Sequence, residues 1–205
     1  MAKIKLTKNE LKHQRDSLTQ FLHYLPTLQL KKQQLQMRIL QARMAIEEKK
    51  TLATLIEEKI NRWVGLLSEA KIDLTQWIVP TKITTETINI AGANIPLFKE
   101  VQFKEMDYDF YETPFWVDQA LVDLRSLAAL LVEIKVIKKQ IAILEHELRI
   151  TTQRVNLFEK VKIPECMENI RVIRIFLGDQ QANSVGISKV AKKKIETKDL
   201  EEVAV

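Results

Sequence analysis

Residues 11–60 read LKHQRDSLTQFLHYLPTLQLKKQQLQMRILQARMAIEEKKTLATLIEEKI, and their spacing decides the fold. One position recurs every seven residues as Leu11, Leu18, Leu25, Lys32, Ile39, Ile46, Ala53 and Ile60, and continues to Leu67 and Leu74. A second, three residues on, reads Gln14, Phe21, Leu28, Leu35, Ala42, Lys49, Ile56, Trp63, Ala70 and Trp77. Seventeen of these twenty slots are apolar, with Lys32, Gln14 and Lys49 the exceptions. A helix that keeps its apolar stripe at a period of about 3.5 residues wraps around another helix. Sustained over ten repeats, such a helix is on the order of 100 Å long. The spacing therefore predicts a rod and not a globule.

The ends of this first helix are marked. Thr7 with Glu10 forms a capping box just before the seam opens, and Pro80 cannot continue a helix beyond Trp77. Pro26 lies inside the pattern, so a kink or a frayed first stretch is expected there. A second helix opens at Thr113-Pro114, an N-cap followed by Pro at the first helical position. Its seam reads Ala120, Leu127, Ile134, Ile141, Leu148 and Val155, with partners Asp123, Leu130, Ile137, Leu144, Thr151 and Phe158. Pro164 interrupts it, and Met167, Ile170, Ile173 and Leu177 carry a helical stripe onward. Helices over 8–78 and 114–182 are of similar length, and one connection joins them. Antiparallel partners are the simplest arrangement.

That connection is patterned. Thr85 to Ile90 alternates, Ala91-Gly92-Ala93-Asn94 offers a turn, and Ile95 to Phe103 returns as a strand, irregular or at an edge because of Pro96. The aromatics Phe98, Phe103, Tyr108, Phe110, Tyr111, Phe115 and Trp116, with Met106, either pack the hairpin onto the helix ends or form an interaction surface. The expected class is all-α, a long antiparallel two-helix coiled coil with a short β-hairpin insert at the turn end. Its parts are an N-terminal coiled-coil helix (1–79), a β-hairpin and aromatic connection (80–113), a C-terminal coiled-coil helix broken near Pro164 (114–182), and a charged flexible tail (183–205).

Composition limits the chemistry. Four Gly and five Pro in 205 residues suit long helices. Thirty-two basic and 27 acidic residues leave a net charge of +5, most of them solvating an outer helix face. The single Cys166 rules out an intrachain disulfide and fits a reducing compartment. The N-terminus lacks a signal-peptide core, and no run of 18 apolar residues exists, so a soluble chain is expected. Gly65, Gly92, Gly178 and Gly186 are too scattered for a phosphate-binding loop. His13, His23 and His146 lack metal-ligand neighbours, and Cys166 has no basic neighbour closer than Lys162 to activate it. No catalytic, cofactor or metal residue is assigned. Lys3, Lys5, Lys8, Lys12 and Arg15 near one terminus and Lys189, Lys192, Lys193, Lys194 and Lys198 near the other are expected to meet at one tip. A solvated tail, a cationic tip entering an acidic protein cavity, and a nucleic-acid-binding arm stand as readings of it, in that order.

Three segments resemble the D subunits of the V/A-type rotary ATPases. They are Thr7-Lys8-x-Glu10-Leu11 with Leu28-x-Leu30-Lys31-Lys32-x-x-Leu35; Asn89-Ile90-Ala91-Gly92-Ala93-x-Ile95-Pro96-x-Phe98; and Thr152-x-Arg154-Val155-Asn156-Leu157-Phe158-Glu159 followed by Ile163-Pro164. Order and spacing hold to about residue 177. Beyond it Gly178-Asp179-Gln180-Gln181 and Gly186 stand where the family continues with a charged helix.

The resemblance implies a non-catalytic rotor shaft, without cofactors, in the bore of a hexamer of catalytic and nucleotide-binding A and B subunits. The small F subunit of the stalk lies alongside, and the far end meets a membrane-ring adaptor. The location it implies is cytoplasmic, peripheral to the membrane. Rotation couples ATP hydrolysis or synthesis to ion translocation. On this reading Lys3, Lys5, Lys8, Lys12 and Arg15 face the hexamer, Ile88, Ile90, Ile95 and Phe98 shape the hairpin that meets stalk partners, and Arg154, Asn156 and Pro164 carry the family motif. The competing classes are a non-motor coiled-coil scaffold, an export stalk and an RNA-binding arm.

Overall fold

A computed structural model describes residues 4–68, 74–105 and 113–203. Helix α1 spans Lys8–Asn61, followed by a 3₁₀ turn at Val64–Ser68 and the single-turn helix α2 at Thr75–Ile78. Strands β1 (Pro80–Ile90) and β2 (Ala93–Phe103) form a hairpin. Helix α3 (Trp116–Leu157) runs through a π turn at Phe158–Lys162 into α4 (Ile163–Val203). The chain is mostly helical, with one two-stranded antiparallel sheet.

The sequence seam is the buried stripe of α1. Its five buried residues, Leu35, Ile39, Ile46, Ala53 and Ile60, are all seam residues. The polar exceptions are accommodated: half-buried Lys49 pairs with Glu133 at 2.9 Å, and Gln14 lies 3.4 Å from the Asn169 amide that donates to it.

Two compact units share α1. One contains Leu30–Thr152 and the other Met1–Gln29 with Gln153–Val205. In the first, facing residues of α1 and α3 run in opposite chain directions, Lys31 with Glu147 and Lys49 with Glu133. Ile46, Ile134 and Ile137 pack together there. Leu35, Ile39 and Leu144 form a second cluster, roofed by Ala93 and Ile95 of the hairpin. A third gathers Leu74, Trp77, Val117 and Leu121. In the other unit, Phe21 stacks on Phe158 with ring centroids 5.0 Å apart. Val155, Ile163, Cys166, Ile170 and Ile173 are buried.

Several expectations are corrected. The first helix closes at Asn61, well before Trp77. Asn61 and Gly65 are weak helix formers, and the Trp63 ring sits 6.2 Å from that of Trp116. The helix is continuous from Lys8 through Pro26, so its first stretch is not frayed. The second long helix opens at Trp116, two residues later than expected, with the Val117 amide donating to the Pro114 carbonyl. The tail read as flexible belongs to α4, which reaches Val203. Its Ala, Lys and Glu are good helix formers, and the Ser184 and Ser188 hydroxyls return to carbonyls four residues back. Met167 is exposed, and Cys166 takes the inward place assigned to it. Met106, Tyr108, Phe110 and Tyr111 lie outside the described residues.

Candidate functional site

Three surfaces were expected to carry function, and the fold treats each differently. At the start of α1 the Thr7 hydroxyl accepts the Glu10 amide at 3.2 Å, and Glu10 accepts the Gln14 side chain at 2.8 Å. Glu10 is thereby turned along its own helix. Lys5, Lys8, Lys12 and Arg15 are exposed, and none makes an ion pair among the described residues. They present exposed positive charge, interrupted by Asp16. Lys3 lies outside the described residues.

The C-terminal lysines do not join them at one level. Gln14 faces Asn169, which puts Lys8 near residue 175 of α4. Lys189 lies 14 residues further along, roughly 20 Å by helical rise. The side chains from Gly178 to Glu196 are all exposed, and Lys192 reaches only its helix neighbour Glu196, at 3.7 Å.

The hairpin closes on Ala91 (φ 50°) and Gly92 (φ 81°), the two left-handed residues of a twist-matched two-residue turn. Asn89 tightens it: its side-chain oxygen accepts the Gly92 amide at 3.0 Å, and its amide donates to Asn94 at 2.7 Å. Ile95 is buried in the chain's own core, and the partly buried Ile90 packs against the same cluster. Phe98 is half-buried; Ile88, the cross-strand partner of Ile95 and so on the same face of the sheet, is the most exposed of the four at 37%, with Ile83 and Leu97 also exposed.

Two polar residues that pattern reading missed hold the hairpin down. The buried Gln140 donates to the Pro96 carbonyl at 2.6 Å. Arg125 donates to the carbonyls of Trp77 (3.0 Å) and Lys104 and lies 5.5 Å from the Phe103 ring centroid. Neither interrupts a seam, so periodicity carries no trace of them.

A family profile described as that of the ATP synthase D subunit matches residues 10–193. The V-type ATP synthase D subunit of Borreliella burgdorferi is 45% identical over 195 residues, covering 95% of this chain and 96% of that protein. The proteins of the same name from Chlamydia pneumoniae and Chlamydia muridarum are 36% and 32% identical, each with more than nine-tenths of both chains aligned. The chain belongs to the family of ATP synthase D subunits.

The family motif sits at the junction of α3 and α4. In this chain Arg154 and Asn156 are exposed, and neither has a hydrogen bond or ion pair among the described residues. Pro164 is exposed on the first turn of α4. Cys166, two residues on, is buried; burial first, then Glu165, pushes its thiol pKa up, against a smaller pull from Lys162. The proton stays on sulfur, which suits packing and not nucleophilic attack. Among the described residues of this family member no three His, Cys, Asp or Glu side chains gather to hold a metal ion, and no helix is long and apolar enough to cross a membrane.

Proposed function

We propose that this chain is the central-stalk component of a V-type rotary ATPase. It is a non-catalytic shaft coupling ATP hydrolysis or synthesis in a surrounding hexamer to ion movement across a membrane. The observation that carries the reading is family membership along residues 10–193. The frame suits the task. The paired stretches of α1 with α3 and α4 are read as an antiparallel two-helix coiled coil, stiffer against bending and twisting than one helix. An asymmetric shaft favours a different conformation in each surrounding protein through differential contacts.

The exposed Lys5, Lys8, Lys12 and Arg15, with Lys3 preceding them in the sequence, and the uncovered lysines of α4 are the surfaces we assign to the nucleotide-binding A and B subunits. The exposed part of the hairpin around Ile88 is assigned to stalk partners, among them the small F subunit. The end carrying the exposed Phe115 is assigned to the membrane-ring adaptor. The chain then works at the membrane surface on the cytoplasmic side. Arg154 and Asn156 are assigned to a partner contact.

Replacement of Lys8, Lys12 and Arg15 together by Glu tests the electrostatic assignment. These exposed side chains contribute little to the fold, so helicity by circular dichroism is retained. Activation of the reconstituted hexamer's ATPase falls, and the deficit shrinks as wild-type activation itself weakens with added salt. Unchanged activation would refute that assignment. Failure of the wild-type chain to copurify with nucleotide-binding subunits in hexamer stoichiometry would refute the shaft itself.

A further inference from the structure

Along α3 the inward positions keep a seven-residue beat through Ile134, Ile137, Leu144, Thr151 and Val155. Continued without interruption, the beat would turn Phe158, Lys162, Glu165, Asn169 and Val172 inward. The buried residues are instead Ile163, Cys166, Ile170 and Ile173, each one place later than its slot. The extra residue is taken up at Phe158–Lys162. There the Ile163 amide donates to the Phe158 carbonyl, five residues back where an α-helix spans four.

The facing stretch of α1 has no matching slip. Leu11, Gln14, Leu18, Phe21, Leu25 and Leu28 stay half-buried on the original beat, across Pro26. One helix of the pair therefore carries a residue that the other does not, and a local turn must absorb it.

We propose that residues 158–162 form a phase-correcting joint, one residue longer than the seam requires. It is wound as a π turn so that the apolar side of α4 faces α1, and it is the place in this unit where the paired helices yield first. A π turn is a rare winding and a place where α-helices bend, and on α1 Pro26 supplies no amide a few residues from Phe21, the partner of Phe158. The motif from Arg154 to Pro164 brackets the slip, which gives it a mechanical purpose beyond any contact it makes. The inference concerns the chain alone and stands or falls independently of the motor assignment.

Pro164 offers a competing cause, because a proline inside a helix can itself open a turn before it. The two causes separate experimentally in the full-length chain. Hydrogen exchange read by mass spectrometry is expected to show amides of 159–163 exchanging about ten-fold or more faster than those of the flanking turns. Pro164→Ala should keep that fast segment, because the seam still demands the extra residue. Pro164→Ala with deletion of the exposed Val161 restores the beat, so the fast segment should vanish and Tm should rise above that of Pro164→Ala alone. Deletion of the exposed Gln20 from α1, where no residue is spare, should lower Tm. The proposal is overturned if Pro164→Ala alone closes the fast segment, if the wild-type segment is no faster than its neighbours, or if deletions of Val161 and Gln20 lower Tm equally.

Discussion

The stretch of α1 beneath the hairpin and the end of α4 beyond Leu177 are both helical, yet different forces hold them. Leu35 is fully buried among Ile39, Leu144, Ala93 and Ile95, so this helix is fixed by a core to which three elements contribute. From Gly178 to Glu196 no side chain is covered, and the helix rests on propensity and local bonds such as the two hydroxyl-to-carbonyl bonds and the Lys192–Glu196 pair. Such local terms contribute about 0.2–0.5 kcal/mol per side-chain pair, and helices without tertiary packing are marginal in water. Identical secondary structure thus conceals unequal resistance to unfolding.

The sharpest way to break that contrast is to shorten one buried and one exposed side chain. Leu35→Ala should cost about 2–5 kcal/mol, because the cavity has walls from α1, α3 and the hairpin. Ile187→Ala, at a position 70% exposed, should stay within about 0.5 kcal/mol. Denaturant titrations followed by circular dichroism measure both, and comparable losses would erase the distinction. Gln140→Ala comes next. It leaves the Pro96 carbonyl without its donor and should cost about 1–3 kcal/mol, with hairpin amides exchanging faster while those of the α4 end do not change.

A smaller effect works in the opposite direction on the uncovered helix. A methyl group at Gly186 meets nothing within 4 Å, so Gly186→Ala should strengthen the end of α4 by about 1 kcal/mol. Slower amide exchange confined to residues after Leu177 would show it, and a global rise in stability would mean this end is not independent. The least effect belongs to Cys166. Its raised pKa means the folded chain holds the thiol proton more tightly than the unfolded chain, so the unfolded state loses that proton first as pH rises. The contribution is therefore complete below the ordinary value of 9.0 and is lost as pH climbs from there through the raised value. Cys166→Ala should remove that alkaline decline, read as denaturation midpoints on either side of 9.0.

Legibility in the sequence followed the same division. Where burial is decided by a repeating stripe, the reading held to the residue: Leu35, Ile39, Ile46, Ala53 and Ile60 all stand on the seam. The hairpin was visible in its alternation, but which side faced the core was not, and Ile95 was therefore grouped with the residues that shape a partner-facing hairpin. Strand periodicity separates two faces without saying which one is covered. The exchange of Met167 for Cys166 arose because residues three and four before Ile170 both lie near its face of the helix, and pattern alone does not choose between them. Gly178 and Gly186 suggested a broken tail, yet each lowers helix stability by only about 1 kcal/mol, too little to end a run of good helix formers. Gln140 and Arg125 were silent because they bind backbone carbonyls distant in sequence.

Two of the three polar slots of the seam, Gln14 against Asn169 and Lys49 against Glu133, have a consequence for how the chain finds its final alignment. Leucine-rich stripes tolerate a slide of one repeat at little expense, because one apolar contact replaces another. A polar group carried past its partner is left among hydrocarbon and must lose a bond or a charge partner. Replacing Gln14 and Asn169 with leucine would bind the helices more tightly and admit misaligned pairings that the natural chain rejects.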